Sequence, residues 1–135
     1  MGRTTQRLGK RGEYAVIGKL LEMGCDVYTP IVDVERIDCV IRSERGEYKE
    51  IQVKTRTPSH EQGARVFEVQ GLTVRKNYFV ILHLINSSDY WVLPSVIFAK
   101  HGRTNHKTGA TRIVLTDTKQ FRLRRYRDNF DLLKK

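Results

Sequence analysis

In this 135-residue chain, chemistry is offered by an aspartate set inside an apolar run and by a Gln-x-Lys triplet on the stretch that follows. Residues 37–42 read Ile-Asp-Cys-Val-Ile-Arg and residues 48–56 read Tyr-Lys-Glu-Ile-Gln-Val-Lys-Thr-Arg. Both alternate with period 2, and the polar residues 44–47 between them contain Gly46, so the pattern predicts a hairpin with Gly46 at its tip. Successive strand residues point to opposite sides, which puts Glu50, Gln52 and Lys54 on one face and Ile51 and Val53 on the other. Asp38 belongs to the neighbouring strand. A carboxylate among Ile37, Cys39, Val40 and Ile41 is costly to bury alone and calls for a cation, a metal or a strong hydrogen-bond donor. A carboxylate and an amide oxygen are hard ligands suited to Mg²⁺. Lys54 beside them could orient a nucleophilic water and offset phosphate charge. The competing account of the Glu-Gln-Lys row is the wet face of an ordinary antiparallel sheet. Asp33 and Glu35 fall in an uneven, turn-like segment and are expected to be solvated.

The elements that must position these groups can be read from the same pattern. A helix is expected over residues 10–23, closed by Gly24, after a flexible basic leader at residues 3–10. Glu13, Ile17, Leu20 and Gly24 share one side of it, so Glu13 starts the buried stripe and could reach toward Asp38. As a first-turn acid it would also suit the helix dipole. Strands are expected over 25–31, 64–70, 78–85, 90–93 and 112–116, with 78–85 so continuously apolar that it should be central and covered on both faces. His83 lies inside that run and reads as a core histidine. Residues 86–89 form a turn, and a short helix over 94–100 ends at Gly102. A terminal helix over 119–135 would bury Leu123, Tyr126, Phe130 and Leu133.

A glutamate on a first helix, then Asp38, then Gln52, Val53 and Lys54 on the next strand resembles the PD-(D/E)XK nuclease superfamily, in the variant with Gln in place of the third motif's acid. Intron-encoded homing endonucleases, Holliday-junction resolvases and Mrr-like nucleases are the nearest groups. The pattern departs from the superfamily in having Ile37, not Pro, before Asp38, with Pro30 well upstream; that leaves the subfamily open. The resemblance covers residues 11–56. It implies a restriction-endonuclease-like α/β core, a mixed β-sheet flanked by helices. It also implies a Mg²⁺-dependent DNA endonuclease, Mn²⁺ substituting, that hydrolyses phosphodiester bonds. Asp38 would hold the metal with the Gln52 amide oxygen and the Val53 carbonyl. Glu13 would bind a second ion or orient water, Lys54 would polarise the attacking water, and Glu50 would be a reserve acid on the same face. Cutting both strands with one site per chain favours a homodimer. The alternatives are a Holliday-junction resolvase and a nuclease fold kept for nucleic-acid binding without catalysis, since Gln leaves the site one charge poorer.

Composition agrees with a polyanionic partner. The formal charge is +10, with 30% charged and 39% hydrophobic residues, which is a globular composition whose basic excess favours nucleic acid over membrane. Arg56 and His60 in the polar loop after the second strand, Arg103 and Lys107 in the basic loop 101–112, and Arg122, Arg124, Arg125 and Arg127 near the end are the candidate phosphate contacts. A single domain over residues 1–135, soluble and cytoplasmic, with no membrane segment and no small-molecule cofactor, is expected. Cys25 and Cys39 lack a CxxC or Cys/His partner and are read as buried thiols, not zinc ligands.

Overall fold

The computed structural model describes residues 2–32, 36–57, 65–85 and 89–135. Helix α1 (Gly2–Glu22) is followed by strands β1 (Asp26–Tyr28), β2 (Cys39–Arg42), β3 (Tyr48–Arg56), β4 (Val66–Gln70), β5 (Tyr78–Leu84) and β6 (Tyr90–Pro94). Then come α2 (Ser95–His101), β7 (Arg103–Asn105), β8 (Ala110–Val114), α3 (Asp117–Arg122) and two 3-10 turns, Arg124–Tyr126 and Phe130–Leu133. Among the described residues no helix is long and apolar enough to cross a membrane.

A five-stranded sheet runs β1-β2-β3-β5-β6, and a three-stranded sheet runs β4-β8-β7. The larger sheet is mixed: β3 and β5 are parallel, and its other neighbours are antiparallel. Alternation divides the β3 and β5 side chains between two cores. On one face Cys39, Ile41, Ile51, Phe79 and Ile81 pack with Val16 and Leu20 of α1 and with Phe130 and Leu133. On the other Val80, Leu82, Trp91 and Leu93 meet Phe67, Val69 and Ile113 of the small sheet and Phe98 of α2. The layers are therefore helix, five-stranded sheet, three-stranded sheet, and the expected mixed α/β architecture with β5 covered on both faces is present.

The β2–β3 hairpin turns at Gly46, whose φ of 82° is a left-handed value that only glycine adopts without cost. His83 is buried and its ring stacks on Tyr90 at 4.2 Å, as expected of a core histidine. Cys39 is buried, whereas Cys25, just before edge strand β1, packs against the α1 core but is partly exposed.

Three expected boundaries are corrected. Residues 3–10 belong to α1, since Arg, Gln, Leu and Lys are good helix formers and no proline interrupts them. The basic loop 101–112 contains β7 and pairs with β8 as a hairpin. Residues 119–135 are not one helix. Their apolar stripe is buried, but Leu123 and Tyr126 serve the core under the small sheet while Phe130 and Leu133 serve the α1 core. No straight helix reaches both faces of a sheet. The chain instead rounds the β6 edge, with Asp128 at φ 52°, its N–H donating to the Tyr90 carbonyl at 2.7 Å and its carboxylate accepting from the Tyr90 N–H at 3.0 Å. Buried Lys49 fastens the end, its Nζ donating to the carbonyls of Leu132 and Lys135 at 3.0 and 2.9 Å.

α1 lies on the sheet at Gly12. A Cβ added there would stand 2.8 Å from Thr55 Cβ and 2.9 Å from its Cγ2, and a β-branched side chain cannot swing far aside. Gly12→Ala should therefore destabilise the fold by about 1–3 kcal/mol despite alanine's better helix propensity. Thr55→Ala should restore most of that loss, read as a coupling in a double-mutant cycle by denaturant unfolding.

Burial lowers the His83 pKa below 6.5, partly opposed by its hydrogen bond to the Asp89 carbonyl. The unfolded chain then takes up a proton that the folded chain refuses, so this contribution to stability is complete above pH 6.5 and is lost as pH falls below it. His83→Phe should flatten the fall in unfolding free energy between pH 7.5 and 5; an equally steep fall in the variant would contradict the assignment.

Candidate active site

The Asp38 N–H donates to the Ile51 carbonyl at 2.8 Å, and the next inward β3 donor, the Val53 N–H, is met by Asp38 Oδ2 at 2.6 Å instead of by a backbone carbonyl. The carboxylate thus completes the ladder, and a charge-assisted hydrogen bond holds it at the strand end. Ile51 and Val53 turn their backbone groups toward β2, so the Val53 carbonyl lies on the side of the strand from which Asp38 approaches.

Gln52 and Lys54 stand on the face that looks toward the small sheet, in register with Val80 and Leu82 of β5. Gln52 is buried, and its Oε1 is 2.7 Å from the Tyr78 hydroxyl. That hydroxyl also lies 2.9 Å from the Arg36 carbonyl. One phenolic proton serves only one of two oxygens. The hydroxyl donates to the Gln52 amide oxygen or to the Arg36 carbonyl, and so links the buried amide to the backbone two residues before Asp38. Burial raises the Tyr78 pKa, which keeps the proton in place. Arg36 itself has a left-handed φ of 65°, and its Nε donates to the Gln70 carbonyl. Two residues before Asp38, the backbone is thus held from both sheets.

Glu13 approaches from α1. It is largely buried, with 19% of its side chain exposed, and lies 3.6 Å from Lys10. Burial pushes the Cys39 thiol up to about 12, with the Asp38 carboxylate and then that of Glu13 adding to the rise; both acids are thus close enough to be felt at one sulfur. Glu50, read as a reserve acid on the same face, is engaged elsewhere. It accepts from Arg75 Nε at 2.8 Å, and that guanidinium caps the Tyr78 ring at 4.3 Å.

Beyond Lys54 opens a cleft of about 420 Å³ lined by Lys54, Arg56, Val66, Phe67, Glu68 and Arg112. Arg56 is therefore next to the site, and exposed Arg103 is the register neighbour of Arg112. Lys107 is exposed in the β7–β8 turn, its backbone N–H donating to Asn105 Oδ1. Arg122, Arg124 and Arg125 lie on the C-terminal segment, whose first 3-10 turn packs against β6. Arg124 stacks on Phe121 at 4.1 Å, and Arg127 pairs with Asp89. His60, Asp33 and Glu35 lie outside the described residues. Tyr78, Arg36 and Arg112 were missed. Nothing in periodicity marks a tyrosine at the start of an apolar strand as a site residue.

The donors present are a carboxylate, an amide oxygen and a backbone carbonyl. Among the described residues no group of three or more His, Cys, Asp and Glu forms a metal cluster. A set of hard oxygens with few carboxylates fits Mg²⁺, which retains waters and takes one or two protein carboxylates.

A sequence model of the PD-(D/E)XK endonuclease family matches residues 3–93. No curated protein matches the chain. Among solved structures, a bacterial homing endonuclease, I-Ssp6803I, is similar with a TM-score of 0.67 and 26% identity, over 96% of this chain and 91% of that one.

Tyr78→Phe keeps the ring and removes the hydroxyl that orients Gln52. Loss of such an outer contact should weaken Mn²⁺ binding, measured by calorimetry on the free protein, by about 10-fold or more. Unchanged binding would show that the amide needs no hydroxyl to hold it.

Proposed function

The chain belongs to the PD-(D/E)XK endonuclease family, and from that membership we propose that it is a divalent-metal-dependent DNA endonuclease of homing type, working as a single nuclease domain. The observation that supports this best is the convergence of Asp38, Gln52 and Lys54 on one end of β3, beside a basic cleft.

In this reading Asp38, the Gln52 amide oxygen and the Val53 carbonyl would hold Mg²⁺, for which Mn²⁺ would substitute. The bound ion supplies Lewis-acid polarisation of a phosphate oxygen and a more acidic water. Lys54 places its ammonium against the scissile phosphate and the attacking water, offsetting charge that grows in the transition state. Glu13, on the helix side, orients that water or a second ion. The phosphodiester bond is broken in line, with Arg56 beside Lys54 contacting the backbone of the duplex. Since one chain offers one such site, cleavage of both strands is assigned to a homodimer, acting in the cytoplasm.

Asp38→Asn separates fold from chemistry, because the amide oxygen still accepts the Val53 N–H while the charge is gone. It should melt within a few degrees of the parent yet nick supercoiled DNA in Mg²⁺ at least ~10³-fold more slowly, as removal of a main charge-stabilising group does. Lys54→Met should be comparably slow. Full activity in Asp38→Asn, or metal-independent cleavage by the parent, would refute the reading; preference for four-way junctions over linear duplex would reassign the protein as a resolvase.

A further inference from the structure

The outer face of the β4-β8-β7 sheet plays no part in the chemistry described above. Its inner side chains, Phe67, Val69, Thr111 and Ile113, are buried, which leaves Glu68, Gln70, Arg112, Val114 and Arg103 facing outward and exposed. Register lines up Arg103, Arg112 and Glu68 as one row across the three strands. Arg112 Nη2 donates to Glu68 Oε2 at 3.1 Å, so the guanidinium is held in a fixed direction with other N–H groups still to place. The neighbouring Gln70 is held too, its Nε2 donating to the Thr108 carbonyl. Arg112 and Glu68 also line the cleft that begins at Lys54 and Arg56, so the row is continuous with the candidate active site.

We propose that this face is the base-reading surface, laid in the major groove of duplex DNA, with Arg112 reading a guanine edge and Glu68 fixing its fork. The inference rests on the nuclease reading and extends it to sequence recognition. β4 and β8, which carry Glu68 and Arg112, lie ~4.8 Å apart and form a two-stranded ribbon of the kind the ~12 Å major groove admits. Alternate residues on a strand stand ~7 Å apart, close to the rise of two base pairs. The carboxylate decides between bases and backbone. A surface built only for phosphates gains nothing from Glu68 at the end of its arginine row, paired to the central Arg112, whereas base edges present donors as well as acceptors, and a buttressed arginine matches guanine O6 and N7.

The test is selection from a randomised duplex library by the full chain in Ca²⁺, with sequencing, for the parent, Arg112→Gln, Arg112→Lys and Glu68→Gln. The parent should enrich a defined sequence. Arg112→Gln and Arg112→Lys should each lose about 10-fold or more of the preference at one or two adjacent positions, the lysine variant keeping the parent's salt dependence because only the fork is lost. Glu68→Gln should weaken the same positions less. Equal loss of affinity for every sequence with preference intact would make Arg112 a phosphate contact and overturn the inference. So would a parent that enriches nothing while still nicking plasmid in an Asp38-dependent way. A parent that neither enriches nor nicks would overturn the nuclease reading itself.

Discussion

The structure turns on one hydrogen bond, that from the Val53 N–H to Asp38 Oδ2 at 2.6 Å. A sheet strand that ends leaves its neighbour with an unpaired inward donor, and an unpaired donor at the sheet interior is costly. Here a side chain takes the place of the missing carbonyl. That one substitution does two things: it completes the β2–β3 ladder, and it puts an anion where backbone regularity gives way to a cleft. The carboxylate is positioned by the same forces that hold the sheet together, so its placement is as rigid as β3.

Around that bond the rest of the molecule reads as support. α1 must come close enough to bring Glu13 to the strand end, and Gly12 against Thr55 permits the approach. From the other side Tyr78 ties Gln52 to the Arg36 carbonyl, and Arg36 reaches across to Gln70 at the end of β4. The two cores are fastened to each other by the C-terminal segment, which rounds β6 and gives Leu123 and Tyr126 to one and Phe130, Leu132 and Leu133 to the other. Stability and site geometry are thus coupled: loosening either core shifts one supporter of Asp38 or Gln52 relative to the others.

The electrostatic design separates two kinds of positive charge. Lys54 and Arg56 adjoin the chemistry at the end of β3, and Arg75 is committed to Glu50 and the Tyr78 ring. Arg124 and Arg125 of the C-terminal segment lean on aromatic rings near β6 and give that side a basic exterior. Net charge counts the cations; only the layout separates those that line the cleft from those already committed to acids and rings.

Local sequence determined the parts whose physics is local. Period 2 over residues 48–56 fixed which face Gln52 and Lys54 occupy, Gly46 fixed the turn, and the uninterrupted apolar run of β5 announced a central strand. Asp38 was legible because a carboxylate in an apolar run requires a partner wherever the run ends up. What the chain alone left undecided depended on contacts between distant segments. The apolar stripe after Leu123 has helical spacing, yet whether it faces one core or two is set by the sheet edge it meets, and meeting two broke the helix at Asp128. Alternation put Glu50 on the face of Gln52 and Lys54 but could not reveal Arg75, and it gave no sign of Tyr78 or Arg112, whose contacts exist only because β5 lies parallel to β3 and β8 lies beside β4. Strand periodicity is written by the backbone of one segment, whereas the choice of neighbour is made by burial across the whole fold.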